Sequence, residues 1–319
     1  MSKVLNFNEC FPEPTDPSHK RGPLPRQSEF LQRALDTKVG SPKYIRYLGG
    51  YGSGKTLVGV ITVLSWAVLY EGDYLVCRQF MPELRITTYK AFLDICPPEL
   101  IVEHRVADAI VRIRNVKGTV SNIIFRGLDE PEKLKSLNLN GFYIDEASQV
   151  SEEAFIILQG RLRGRHIRKG ILTTNSAGRN WLWRYFVDKS QFKNEVVKAQ
   201  FYNIVAPSTE NVHLPEGYVQ SMLESWSEER VKRDVMADEE SFQGQVFSEF
   251  KRDVHVIKPF RIPDNWERHI RLDHGLRNPA ACVWAAIGPE GEIYVYRVFY
   301  EREWLIHEII GGKKIHAQD

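Results

Sequence analysis

Apolar residues recur along this chain in two rhythms. Over Gln27 to Asp36 (QSEFLQRALD), Phe30, Leu31 and Leu35 share one helical face, so the spacing predicts a short helix. Tyr44 to Leu48 (YIRYL) alternates and is β-prone, which predicts a strand. The long apolar run Leu57 to Tyr70 predicts a buried helix, and Asp73 to Cys77 (DYLVC) the next strand. Further strands are predicted at Ala109 to Arg114, Ser121 to Phe125, Gly141 to Ile144 and Gly170 to Thr173, with a helix over Glu152 to Arg161.

Strand, glycine loop, helix, strand is a βαβ unit, and it implies a parallel sheet with a right-handed crossover. Repeated alternation of strand and helix predicts an α/β domain over residues 26–205. The proline-rich residues 1–25 predict an extended N-terminal arm. Residues 206–255 change character, with a charged helical stretch from Tyr218 to Glu240, and predict a small lid or linker. From 256 to 319 strands return: Ile270 to Leu272, then Ala280 to Ala286 and Glu292 to Tyr300 as a hairpin about the Gly288–Gly291 turn.

Composition narrows the class. Hydrophobic residues make up 43% and charged residues 26%, the balance of an ordinary globular protein. No stretch approaches the ~20 apolar residues of a membrane span, and the N-terminus lacks the apolar core of a signal peptide. The expectation is an intracellular protein with no membrane partner. Cys10, Cys77, Cys96 and Cys282 are scattered without metal-ligand spacing, and no histidine cluster stands in for them, so no structural zinc is expected. A net charge of +2 does not by itself announce nucleic-acid binding. The local basic run Arg161 to Lys169 (RLRGRHIRK) is either a DNA or subunit contact or a solvated charged loop.

Gly49-Gly50-Tyr51-Gly52-Ser53-Gly54-Lys55-Thr56 matches GxxxxGK[ST] in full and sits between a predicted strand and helix. Glycines let the backbone curl until its N–H groups converge on phosphate oxygens. The following helix adds its positive N-terminal end. Lys55 is then the candidate for the β- and γ-phosphates, and Thr56 for Mg²⁺.

Phe142-Tyr143-Ile144-Asp145-Glu146 is an apolar strand ending in two acids. At the C-terminal end of a parallel strand they face the crevice where ligands bind. Asp145 is the candidate for Mg²⁺ and Glu146 for the general base that polarises the attacking water. A glutamate directly after the aspartate favours an ATP hydrolase over a GTPase or nucleotide kinase.

At this point the sequence resembles the large subunit of tailed-phage terminases, the ATPase of the DNA-packaging motor. The likeness rests on an ordered set of segments: YLGGYGSGKT, VCRQFMPELRITTY, FRGLDEPEKLKSLN, GFYIDEA, LTTNSAG, and RLDHGLRNPAACVWAAI with GEIYVYRVFY. It implies a P-loop NTPase fold of the RecA/ASCE type: a parallel sheet with flanking helices, a small lid, and the beginning of an RNase H-like nuclease domain. It implies ATP and Mg²⁺ as cofactors, with Mg²⁺ or Mn²⁺ at a complete nuclease site. Implied partners are double-stranded DNA, a portal protein, a small terminase subunit and further copies of the chain in a ring. The implied location is the host cytoplasm, outside the mature virion.

Residue by residue, the resemblance makes Gln27 the adenine reader and Asn175, at the end of GILTTN, a coupling residue near the γ-phosphate. Some packaging ATPases carry an arginine within the phosphate loop; here positions 50–53 hold none. A transition-state cation must come from elsewhere, a neighbouring subunit included, and Arg78, Arg126, Lys135, Arg161 and Arg163 are the candidates. Asp273 looks like the first metal carboxylate of the nuclease. The family's later acids are not found, so the chain is expected to lack nuclease competence by itself. The alternatives are a helicase-like DNA-dependent ATPase and a nucleotide-binding scaffold without turnover.

Overall fold

The computed structural model describes residues 7–13, 20–239, 250, 252–273 and 280–301. The chain divides into two compact units, 1–245 and 246–319. Residues 1–6 and 14–19 of the predicted arm, and the segments around Ser241 and His274, lie outside the described residues.

The first unit is built on an eight-stranded sheet in the order β3-β4-β5-β2-β6-β7-β1-β8. Its strands are β1 (Tyr44–Gly49), β2 (Asp73–Arg78), β3 (Ile101–Arg105), β4 (Ile110–Arg114), β5 (Val120–Gly127), β6 (Gly141–Ile144), β7 (Lys169–Thr174) and β8 (Phe201–Ala206). The six strands from β5 to β8 pair in parallel, and β4 and β3 extend one edge antiparallel. Strands β1, β6 and β7 are buried along their whole length, as central parallel strands covered on both faces must be.

One face carries α1 (Pro25–Leu35), α2 (Lys55–Leu69) and α4 (Lys90–Ile95), with Phe30, Val60, Leu64, Trp66 and Phe92 packed against Ile45, Val76, Tyr143 and Ile171. Between β2 and α4 lie the short helix α3 (Met81–Leu84) and a π-helical turn, Arg85–Tyr89. The other face is closed by α5 (Glu152–Gln159) and the segment of α6 (Trp181–Trp183), where Phe155, Trp181 and Phe186 meet Leu75, Phe142 and Leu172. Gly59 lets α2 lie directly on β6, since a Cβ there would stand 2.3 Å from the Tyr143 ring.

Two strands go beyond the sequence expectation, β3 and β8. After α7 (Glu195–Lys198), β8 pairs with β1 and completes the parallel set. The stretch expected to be one helix from Tyr218 breaks instead. It forms α8 (Tyr218–Ser225), stops at Trp226, restarts as α9 (Glu228–Arg230) with Ser227 as N-cap, and passes into a π-helical turn at Val231–Val235. The break turns Asp234 and Val235 inward, both buried.

In the second unit α10 (Arg252–His255) precedes a three-stranded antiparallel sheet, β11-β10-β9. It consists of β9 (Glu267–Asp273), β10 (Ala280–Ile287) and β11 (Ile293–Glu301), and the predicted hairpin is present. Gly291, at φ 89°, supplies the left-handed turn residue. Three such strands do not by themselves define an RNase H-like fold.

Candidate nucleotide site

The phosphate loop joins β1 to α2 at the C-terminal end of the parallel strands. Gly52 and Gly54 both sit at φ 75°, where a side chain would strain the curl. The loop is held from three sides. Tyr47 Oη donates to Ser53 O at 3.2 Å, Tyr51 N–H donates to Asp234 O at 2.7 Å, and Asn211 Nδ2 donates to Gly52 O at 2.5 Å. A Cβ on Gly50 would collide with Ser208 Oγ and Val235 O, so the segment after β8 closes directly over the loop. Trp226 meets Tyr51 edge-on at 5.9 Å, and Arg230 stacks on Trp226 at 4.3 Å.

Lys55 starts α2, only 8% exposed, with Nζ 3.5 Å from Gly50 O. Burial pulls its pKa down, and the Glu146 and Asp145 carboxylates oppose that shift. The first N–H groups of α2 have no carbonyl partner within the helix and suit an anion.

Asp145 follows β6 at 1% exposure, its N–H bonded to Cys77 O at 2.8 Å. Three threonines surround its carboxylate. Thr173 Oγ1 donates to Oδ1 at 2.7 Å, Thr88 Oγ1 donates to Oδ2 at 2.5 Å, and Thr56 Oγ1 lies 3.5 Å from Oδ1. Tyr143 Oη is 2.8 Å from Thr173 Oγ1 and extends the chain into the core. A hydroxyl and a fixed carboxylate converging from two elements are hard oxygen donors, and that donor set fits Mg²⁺, which completes its shell with phosphates and water.

Glu146 is left-handed, at φ 52° and ψ 49°. For a residue with a Cβ that costs about 1–2 kcal/mol, a strain that concentrates at functional positions. Burial raises its pKa, and Lys55 and Arg78 moderate the rise. Asn175 Nδ2 is 3.5 Å from Glu146 Oε2, and Asn175 Oδ1 is buried without a partner. Next to it, Ser176 Oγ donates to Asp238 O at 2.8 Å, which ties the end of β7 to the segment that covers the loop.

Gln27 also reaches the loop. It is 2% exposed, with Oε1 accepting from Leu24 N–H at 2.9 Å and Nε2 donating to Gly54 O at 3.1 Å. That geometry clamps α1 to the loop.

Among the candidate cations, Arg126 bonds Asp108 O and Phe125 O, and Arg163 bonds Leu137 O. Arg161 bonds Lys135 O, and Lys135 pairs with Glu132. Of these, Arg78 alone acts electrostatically on both Lys55 and Glu146, from the end of the strand beside β6. In the basic run, Lys169 is a correction to the sequence reading. It is 3% exposed and donates to Arg33 O, Ser41 Oγ and Pro42 O, because it opens β7 under α1, so it is not available to DNA.

Asp273 ends β9 exposed, in the second unit. Among the described residues no group of three His, Cys, Asp or Glu side chains is placed to hold a metal. Sequence reasoning misses Thr88 and Asp234. Only the pair of threonines after the second strand hints at the first, and nothing hints at the second.

A glycine loop at a strand-to-helix junction after β1, with an aspartate and glutamate ending the parallel strand β6 on the far side of β7, defines a P-loop NTPase fold. A family model described as phage terminase large subunit matches residues 42–236, more than half of the chain, and the chain belongs to that family. The PBSX phage terminase large subunit of Bacillus subtilis (strain 168) is 30% identical over 190 residues. That match covers 55% of this chain and 44% of the relative, so the chain spans less than half the length of the curated relative it matches.

Among solved structures, the large terminase from a thermophilic bacteriophage aligns with a TM-score of 0.58 at 16% identity, covering 92% of this chain and 75% of that one. The same terminase in complex with ADP gives 0.55 at 17% identity with the same coverage. The HK97 bacteriophage large terminase gives 0.54 at 14% identity, covering 92% and 66%. These likenesses are of fold.

Proposed function

We propose that this chain hydrolyses ATP to drive double-stranded DNA into a viral procapsid. The observation that carries the reading is the convergence of Thr56, Asp145, Glu146 and Asn175 on the mouth of the phosphate loop. Family membership and the ADP-bound terminase of the thermophilic bacteriophage support it.

In the proposed reaction the loop amides and Lys55 bind the triphosphate. Thr56 and Asp145 would hold Mg²⁺, which screens phosphate charge when bound. Asn175 Oδ1 orients a water, and Glu146 takes its proton as the water oxygen bonds to the γ-phosphorus and the bond to the β-bridging oxygen breaks. ADP and inorganic phosphate leave. Relaxation of Asn175 passes through Ser176 to Asp238 in the cover of the loop. Stroke and grip on DNA phosphates belong to the assembled motor, with portal protein, small terminase subunit and a homo-oligomeric ring as partners, in the host cytoplasm. Among the described residues no helix is long and apolar enough to cross a membrane. DNA cleavage is not included. With Mn²⁺ the chain should leave plasmid DNA intact, and cutting abolished by Asp273→Ala would contradict that.

Steady-state ATPase with and without double-stranded DNA, over a range of protein concentrations, tests the reading. Hydrolysis that Lys55→Ala abolishes and DNA stimulates is expected. A wild-type protein that binds no nucleotide would overturn it.

A further inference from the structure

We propose that Arg78 supplies the transition-state cation of this site in cis, from within the same chain, so that each subunit carries its own. The proposal rests on the ATPase reading above and adds to it a residue that touches the transferred phosphoryl group.

The sheet register places Arg78. It is the last residue of β2, directly after Cys77, which is paired with Ile144 of β6. Arg78 and Asp145 therefore end adjacent parallel strands side by side. Strand alternation puts Arg78 on the face of Val76, and Asp145 on the face of Tyr143. Both of those residues pack in the layer that contains α2, so Arg78 and Asp145 face the helix that the phosphate loop opens.

The side chain is held but not consumed. Nη1 donates to Thr87 Oγ1 at 2.7 Å, and Thr87 Oγ1 in turn donates to Glu83 O at 2.6 Å. Nε is buried with no hydrogen-bond partner. A buried guanidinium N–H without an acceptor is costly unless something arrives to accept it. The Arg78 charge acts on both Lys55 of the phosphate loop and Glu146 after β6. The π-helical turn Arg85–Tyr89 serves both strand ends at once: Thr87 aims Arg78, and the next residue, Thr88, aims Asp145. π-turns within helices recur at functional positions because the extra residue re-aims its neighbours.

Charge balance favours the same assignment. Lys55 and Arg78 together offset Asp145 and Glu146. A triphosphate with one divalent cation then adds net negative charge. That charge shifts outward onto the γ-oxygens and leaving oxygen in the transition state, where a planar fork with free N–H groups binds it better than a point charge. Arg78 keeps its proton throughout. Glu146 takes the water's proton, and the arginine contributes field and hydrogen bonds only. Positions 50–53 of the loop have no arginine to do this, and Arg126, Arg161 and Arg163 are bonded to backbone carbonyls of their own surroundings.

The test is a comparison of Arg78→Ala, Arg78→Lys and wild type. Arg78→Ala should lower kcat by about 10²–10³-fold, the usual loss when one preorganised donor to developing charge is removed. KM and affinity for ADP should change less than about threefold, while affinity for ADP with aluminium fluoride, a transition-state mimic, falls with kcat. Arg78→Lys should recover part of kcat. Wild-type ADP affinity in the variants certifies a folded site. Mixing then separates cis from trans: Arg78→Ala protein retains Glu146, and Glu146→Gln protein retains Arg78. No activity in the mixture is expected. Recovery of activity on mixing, or an Arg78→Ala enzyme with wild-type kcat, overturns the proposal and leaves the ATPase reading standing. A wild-type protein without ATPase activity would instead remove the reading beneath it.

Discussion

Thr88 holds Asp145: its hydroxyl donates to Oδ2 at 2.5 Å, from a π-helical turn far from it in sequence. With Thr173 on the other oxygen, the carboxylate is fixed before any ligand arrives. Fixing a metal-binding carboxylate from behind tunes its affinity, typically by about 10–100-fold. Thr88→Val should therefore raise the Mg²⁺ concentration that half-saturates ATPase activity by about tenfold, and Thr88→Ser should restore it. A Mg²⁺ titration of steady-state rate decides this; an unchanged midpoint would make Thr88 a packing residue.

With Glu146 as the proposed general base, its ionisation should set the acid limb of the pH–rate profile. Burial raises its pKa above the ordinary carboxylate value. The base works only when ionised, so the rate should fall on acidification at a higher pH than a solvent-exposed glutamate would give. The linkage has the opposite sense. A carboxyl with a raised folded pKa binds its proton more tightly in the native state, so its contribution to stability falls as pH rises from the unfolded value through the folded one. Glu146→Gln should flatten that part of the stability profile, measured by urea unfolding at a series of pH values.

Gln27 spends both ends of its amide on the chain, at Leu24 N–H and Gly54 O. Gln27→Ala should weaken ATP and GTP binding by similar factors and loosen the start of α1. Competition binding with the two nucleotides checks it. A change in the ATP-to-GTP preference of more than about tenfold, the 1.4 kcal/mol scale of a lost specific contact, would show that the amide reads the base.

Much of this is legible in the chain. GxxxxGKT between a strand and a helix, and an apolar strand ending in Asp-Glu, point to the parallel core and to both sides of the site. What is not legible depends on contacts distant in sequence. β3 is an exposed antiparallel edge with little apolar alternation. β8 follows α7 without a glycine or proline between them. The helical rhythm from Tyr218 reads as continuous, but tertiary bonds, Tyr51 N–H to Asp234 O among them, override it. Lys169 looks like part of a basic surface because burial under α1 leaves no mark in a run of arginines.

Arg46 and Glu239 form a bidentate pair at 2.7 and 2.6 Å, with Arg46 1% exposed on β1, also bonded to Asn203. The pair anchors the far end of the segment that covers the loop. Removing one partner strands a buried charge, so Glu239→Ala should destabilise the protein by about 3–5 kcal/mol. Arg46→Met combined with Glu239→Ala should cost less than the sum of the single changes. A urea double-mutant cycle measures the coupling, and strict additivity would remove the anchor.

In the proposed reaction Glu146 activates the water attacking a triphosphate held by the loop beside Asp145, and single-turnover hydrolysis of γ-labelled ATP by wild type and Glu146→Gln tests this most directly. Both proteins should retain the nucleotide with similar affinity, and only wild type should release labelled phosphate, the variant being slower by at least about 10²-fold. Equal phosphate release from the two would contradict the account.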